Sequence, residues 1–313
     1  MNGDSKAAPL KVLVPAGLGL DVSATAASID PVLYTPGEPW PPGHLDATAI
    51  VVGYDKAEAI AARFAELPNL RLVQTLNAGY EQWLPALPDG VMLSNGRGAH
   101  GGSSAEWVVA ALLAIYRELG VFAKQQANGQ WRRRDTETLI GKRVVVLGAG
   151  DLAVSLAARL APFETEVLLV GRRARPGVHA MDEVDGLLPV ADVVVAMLPE
   201  SKATHHVIDA SFLARLPDGA IVVNVGRGGL VDTGALLEEL NSGRLRAALD
   251  VTDPEPLPHG HPLWSAPGLL LTPHVAGSTE GAWERAWAVA QRQLEAFACG
   301  AKPPNLVAGP GAG

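Results

Sequence analysis

Arg143-Val-Val-Val-Leu147-Gly148-Ala149-Gly150-Asp151-Leu152-Ala153 joins a β-branched apolar run to a glycine turn and then to a helical pattern. A continuous apolar run of this length reads as a strand covered on both faces, the mark of a parallel sheet. Gly148 permits the tight turn, Gly150 lets the backbone approach a pyrophosphate, and the small Ala153 allows close helix–strand packing. The helix opening at Asp151 and Leu152 offers the free N–H groups of its first turn to an anion. Many α/β proteins contain a glycine-rich turn. Its place between this strand and this helix is what points to a dinucleotide cofactor.

Five more strand patterns follow, at 166–170, 192–198, 220–225, 245–251 and 269–272, with helical patterns at 152–160 and 234–241 among them. Six such strands fit a doubly wound nucleotide-binding sheet. The second strand runs into Gly171-Arg172-Arg173, with Arg175 close behind. A site selective for NAD places a carboxylate here for the ribose 2′-hydroxyl. Guanidinium groups attract a 2′-phosphate instead, so Arg172 and Arg173 point to NADP, with NAD as the weaker alternative.

Upstream lies a separate strand series, at 11–15, 48–53, 71–75 and 91–94, with a helical pattern over 56–66 and a Pro/Gly-rich loop over 36–43. A long helix is expected next, capped by Ser103 or Ser104, with Glu106 in its first turn. Its apolar positions run through Leu119, and it ends near Asn128-Gly129. A last helix is expected over 280–297, and the tail 309–313 reads as disordered.

At 313 residues the chain has room for two domains. Its net charge of −8 does not advertise nucleic acid or an anionic membrane as partner. The segment Met1–Lys6 lacks the features of a signal peptide, and no apolar run approaches the roughly 20 residues that span a bilayer. A cytoplasmic protein is expected. The single cysteine, Cys299, forbids an intramolecular disulfide and reads as a small packing residue. His205 and His206 are adjacent, and His259 and His261 flank a glycine, but neither pair brings the donor set of a zinc site, so no metal is expected. Arg132-Arg133-Arg134 reads as a solvated run after Trp131, and His100 as structural.

Three segments carry the chemistry. Asn224-Val225-Gly226-Arg227-Gly228, Asp250-Val-Thr-Asp-Pro-Glu255 and Thr272-Pro-His274 each set polar groups just beyond a buried strand, where a doubly wound sheet binds its ligands. Histidine titrates near neutrality and exchanges a proton readily, a carboxylate orients it, and arginine grips a carboxylate through two hydrogen bonds. Singly, each residue reads as an ordinary loop or surface group. Together at strand ends, they read as a site.

These segments, the glycine turn, Asn77-Ala78-Gly79-Tyr80-Glu81, Ala105-Glu106 and Pro304-Asn305-Leu306-Val307 together resemble the D-isomer-specific 2-hydroxyacid dehydrogenase family over nearly the whole chain. The likeness is to its NADP-preferring glyoxylate/hydroxypyruvate reductases. The resemblance implies an α/β protein of two doubly wound domains, a Rossmann-type cofactor domain (101–276) inserted into a flavodoxin-like substrate domain (1–100 and 277–313), with the active site between them. It implies that Arg227 binds the substrate and touches the cofactor, that Glu255 pairs with the general acid/base His274, and that Asp250, Val225 and Gly226 line the nicotinamide. Backbone N–H groups of Ala78 and Gly79 are implied for the substrate carboxylate. The expected partners are a small 2-oxo or 2-hydroxy acid and a second copy in a homodimer. Glu255 argues against a formate enzyme, which carries glutamine there. A phosphite dehydrogenase and a non-catalytic dinucleotide sensor are the alternatives.

Overall fold

The computed structural model describes residues 8–24, 26–53 and 57–312. The expectations for Met1–Lys6, and the start of the helical pattern at Lys56, lie outside the described residues. Five strands come first: β1 (Leu10–Pro15), β2 (Ile29–Tyr34), β3 (Ala49–Val52), β4 (Leu72–Thr75) and β5 (Met92–Ser94). Seven follow: β6 (Arg143–Leu147), β7 (Glu166–Gly171), β8 (Val178–Ala180), β9 (Val193–Ala196), β10 (Ile221–Asn224), β11 (Arg246–Leu249) and β12 (Leu269–Leu271), and last comes β13 (Leu306–Ala308). The α-helices are α1 (Ala57–Ala61), α2 (Gly101–Tyr116), α3 (Leu119–Ala127), α4 (Asp151–Leu160), α5 (Ala210–Leu213), α6 (Thr233–Asn241) and α7 (Ala282–Ala298). Two compact units result, one taking in the chain up to His100 and from Glu280 onward, the other Gly101–Thr279.

In the second unit the sheet order is β12-β11-β10-β9-β6-β7-β8, parallel throughout. This is the Rossmann order, reversing direction between β6 and β9. Both faces are apolar, as the valine runs require. Val144, Val146, Val193 and Val195 face α2 and α4 through Val108, Leu112, Leu156 and Leu160. Val145, Leu147, Val194 and Val222 face Ile208, Phe212, Leu236 and Leu240 on the opposite side.

In the first unit the order is β13-β5-β4-β3-β1-β2, the flavodoxin-like order of parallel strands with an antiparallel edge at β13. Helix α7 covers one face, seating Ala286, Trp287, Ala290 and Leu294 on Val12, Val14, Val51 and Leu72.

Several expectations need correction. Among the described residues the sheets hold six and seven strands, not four and six. The additional strands β2, β8 and β13 are edge strands. Pro31 lies within β2, and a proline run reads as a break in sequence but is tolerated where only one side needs a hydrogen-bonded neighbour. The long helix begins at Gly101, so Ser103 and Ser104 lie inside it and Glu106 falls in the second turn. It stops at Tyr116, and Glu118 (φ 51°) turns the chain into α3, none of whose residues is buried. Leu119 therefore belongs to an exposed helix rather than to the core. The tail is ordered through Ala312: Gly309 packs where a Cβ would meet the Val91 carbonyl at 2.3 Å, and Ala312 N–H closes a turn on its carbonyl. Cys299 is exposed at the end of α7 and packs no core. Among the described residues no helix is long and apolar enough to cross a membrane, and no cluster of three potential metal ligands occurs.

Candidate active site

The glycine turn leaves β6 as the sequence requires. Gly148 adopts φ 132°, and a Cβ there would meet the Met197 carbonyl at 2.9 Å. Only glycine takes that backbone without strain. Gly150 is different: its φ is −88°, and the space a Cβ would fill is open. It precedes α4 without a side-chain cap, so the first-turn N–H groups around Asp151 and Leu152 face an open approach. Ala153 is buried against the sheet. An open, uncapped helix N-terminus beside a bare backbone fits a dinucleotide pyrophosphate.

Arg172 and Arg173 follow β7, exposed, and neither is engaged in a hydrogen bond or ion pair among the described residues. Arg175 is committed elsewhere. Its Nη2 donates to the Ala149 carbonyl at 2.8 Å, tying the basic loop to the glycine turn.

The three chemical segments extend from neighbouring strands. At the end of β10, the buried Asn224 clasps the following loop from both sides: its Nδ2 donates to the Arg227 carbonyl (2.8 Å) and its Oδ1 accepts from Gly226 N–H (3.0 Å). Arg227 is half-buried, with Nη1 on the Gly226 carbonyl at 2.7 Å. Gly228 lies so close to the segment after β11 that a Cβ would stand 1.9 Å from the Thr252 carbonyl. That approach presses the Arg227 loop against the Glu255 loop.

His274 follows β12 with φ 54°, an uncommon conformation for a non-glycine residue. Asp250, buried at the end of β11, holds it there. Its Oδ1 accepts from the Thr272 hydroxyl (2.6 Å) and from Val275 N–H (2.8 Å), its Oδ2 accepts from Ala276 N–H (2.9 Å), and its backbone carbonyl accepts from His274 N–H (2.7 Å). Both carboxylate oxygens are thus turned toward the histidine loop. Glu255 Oε1 meets His274 Nδ1 at 2.6 Å, with the two side chains 39% and 41% exposed. The partner on Nδ1 sets the tautomer and leaves Nε2 free to exchange a proton with a ligand.

Ala78 and Gly79 lie in the first unit, in the loop after β4. His100 sits beneath that loop with Nε2 on the Leu76 carbonyl at 3.3 Å. His205 pairs with Glu200 (3.2 Å) and stacks on His206, and His261 accepts from Leu263 N–H at a helix start.

Residues 109–276 match the family model described as "D-isomer specific 2-hydroxyacid dehydrogenase, NAD binding domain". The chain belongs to this family. A glyoxylate reductase of Thermofilum pendens is 32% identical to it over 77% of this chain and 75% of that protein. Among solved structures, a D-isomer-specific 2-hydroxyacid dehydrogenase of Xanthobacter autotrophicus in complex with NADPH and MES superposes with a TM-score of 0.80 at 30% identity, covering 95% of this chain and 98% of the other. An NADPH-dependent glyoxylate/hydroxypyruvate reductase of Sinorhizobium meliloti superposes with a TM-score of 0.78 at 25% identity, with the same coverages. As a family member the chain is an NAD(P)-dependent dehydrogenase.

The two glycines of the turn separate folding from binding. Gly148→Ala should cost about 1–3 kcal/mol in urea denaturation, the order of a strained backbone residue. Gly150→Ala should leave stability within about 0.5 kcal/mol and yet weaken NADPH binding at least ten-fold in a fluorescence titration. Unchanged affinity in Gly150→Ala would mean that no pyrophosphate approaches this backbone.

Proposed function

We propose that this dehydrogenase reduces a small 2-oxo acid, of the glyoxylate or hydroxypyruvate kind, to the D-2-hydroxy acid with NADPH as the preferred cofactor. The observation that carries the proposal is the 2.6 Å contact between His274 and Glu255 at the ends of adjacent strands, beside the loop of Arg227. Support for the substrate class comes from the reductases among its relatives.

The cofactor domain is residues 101–276, and the substrate domain is the remainder. The Gly148–Leu152 turn would hold the pyrophosphate, and Val225, Gly226 and Asp250 would line the nicotinamide end, Asp250 through the turn it anchors. The cofactor, when bound, supplies the hydride. Arg227 grips the substrate carboxylate and polarises its carbonyl, and the N–H groups of Ala78 and Gly79 add to that grip. His274 gives its Nε2 proton to the carbonyl oxygen that becomes the product hydroxyl, and Glu255 balances the imidazolium charge before transfer. In the oxidative direction neutral His274 takes the proton back.

A homodimer belongs to the same proposal. Trp131 is 99% exposed, and with Phe122 it borders a hollow of about 730 Å³ beside α3. Such an aromatic suits a subunit contact. Trp131→Glu should sediment as a monomer where the parent chain sediments as a dimer; a monomeric parent chain removes the dimer.

His274→Ala should lower glyoxylate reduction by roughly 100- to 10,000-fold, the usual worth of general acid–base help, with NADPH affinity kept. Glu255→Gln should lower it less, because an amide oxygen still accepts from Nδ1. Turnover within a few-fold of the parent enzyme in His274→Ala would take the histidine out of the chemistry.

NADPH should be favoured over NADH by ten-fold or more in kcat/KM. A single charge-assisted contact, worth about 1.5–3 kcal/mol, suffices for that ratio. Replacing Arg172 and Arg173 with alanine at fixed ionic strength should depress NADPH use and spare NADH use. Equal use of both cofactors by the parent enzyme would refute the preference.

A further inference from the structure

The loop after β4 is held from behind by its carbonyl groups. Asn95, just past β5, donates its Nδ2 to the Ala78 carbonyl at 2.7 Å. The Asn77 carbonyl accepts from Gly96 N–H at 2.8 Å and from the Thr75 hydroxyl at 2.5 Å. Gly96 approaches so closely that a Cβ would stand 2.3 Å from the Leu76 carbonyl. A trans peptide is planar, with its C=O and N–H pointing in opposite directions. The Asn77 carbonyl shares a peptide plane with Ala78 N–H, and the Ala78 carbonyl shares one with Gly79 N–H. Anchoring these two carbonyls on the 95–96 segment turns both N–H groups away from it.

Asn95 is itself fixed by the chain's last strand segment. Asn305, buried next to β13, accepts from Asn95 N–H through its backbone carbonyl (3.1 Å), and its Nδ2 donates to the Asn95 carbonyl (3.0 Å) and the Arg97 carbonyl (2.9 Å). Its own N–H donates to Oε1 of the buried Gln293 on α7 at 2.8 Å. Asn95 Oδ1 accepts from Arg97 N–H at 3.3 Å, so both ends of its amide are used. A buried polar chain with every link paired is rigid, and this one runs from α7 through Asn305 and Asn95 to Ala78.

We infer that Asn95 is a positioning residue for substrate: its side-chain amide, braced by Asn305, aims the Gly79 N–H, and with Gly96 the Ala78 N–H, at the carboxylate of the 2-oxo acid. The inference rests on the assignment of Ala78 and Gly79 to that carboxylate. Asn95 touches neither substrate nor cofactor and acts through one peptide plane.

Asn95→Asp and Asn95→Ala test it in the full-length enzyme. The aspartate keeps the size of the side chain and its acceptor for Arg97 N–H, but sets an oxygen against the Ala78 carbonyl. The alanine removes the donor without adding charge. Both should raise KM for glyoxylate ten-fold or more, change kcat less than KM, and leave KM for NADPH within two-fold. Circular dichroism checks that each is folded, and the size-matched aspartate carries the test if the alanine is not. In parallel, oxamate, an unreactive 2-oxo acid analogue, is titrated into labelled protein with NADPH bound. The Ala78 and Gly79 amide resonances should move in the parent enzyme and respond far less in the variants. Folded variants with KM for glyoxylate within two-fold of the parent, and with the oxamate response kept, would overturn the role of Asn95 and leave the carboxylate assignment standing. No movement of those resonances in the parent enzyme would overturn the assignment and the inference together.

Discussion

A parallel sheet covered on both faces leaves one place for chemistry. Its strands are apolar on either side, so polar side chains can reach a ligand only where the strands end. The second unit obeys this constraint throughout. Val144–Leu147, Val193–Ala196 and Ile221–Val223 are fully buried, and the glycine turn, the Arg227 loop, the Glu255 loop and His274 all come at carboxyl ends. The burial that stabilises the unit therefore also gathers its functional groups.

Loops at those ends have no ladder of their own to hold them, and the structure supplies the order with single buried polar side chains. Asn224 closes the Arg227 loop on itself. Asp250 collects three donors from the segment around His274 and keeps that residue in a conformation it would not choose alone. Asn95 does the same for the loop after β4. Each bond adds about 0.5–1.5 kcal/mol net, but leaving a buried partner unmet costs about 1–3 kcal/mol. The penalty for disorder, more than the gain from order, keeps these loops in one shape.

Much of this was legible in the sequence because strand and turn chemistry is local. Valine runs announced the central strands, and Gly148 and Gly150 announced the turn. The Asn-Val-Gly-Arg and Thr-Pro-His segments marked two of the strand ends that carry the candidate site. What escaped depends on contacts between distant positions. β2 hid behind Pro31, whose tolerance is known only once the strand is placed at an edge. The break between α2 and α3 follows from where the core stops, and Leu119 looks like a core residue until α3 is seen to have no buried face. Asn95 gave no signal at all, since its partners are Ala78 and Asn305, the latter 210 residues away.

The first unit is interrupted in sequence, and that sets an order of events during synthesis. All of Gly101–Thr279 leaves the ribosome before α7 and β13 exist. Until they do, Val12, Val14, Val51 and Leu72 lack the helix that shields them, and Asn95 lacks Asn305. The nascent amino-terminal sheet must wait with one greasy face bare while the cofactor-binding unit folds first. Such a face invites sticking to other chains, so the vulnerable interval in the life of this protein is its translation, and its length is the time taken to make about 180 residues, on the order of ten to forty seconds at typical elongation rates.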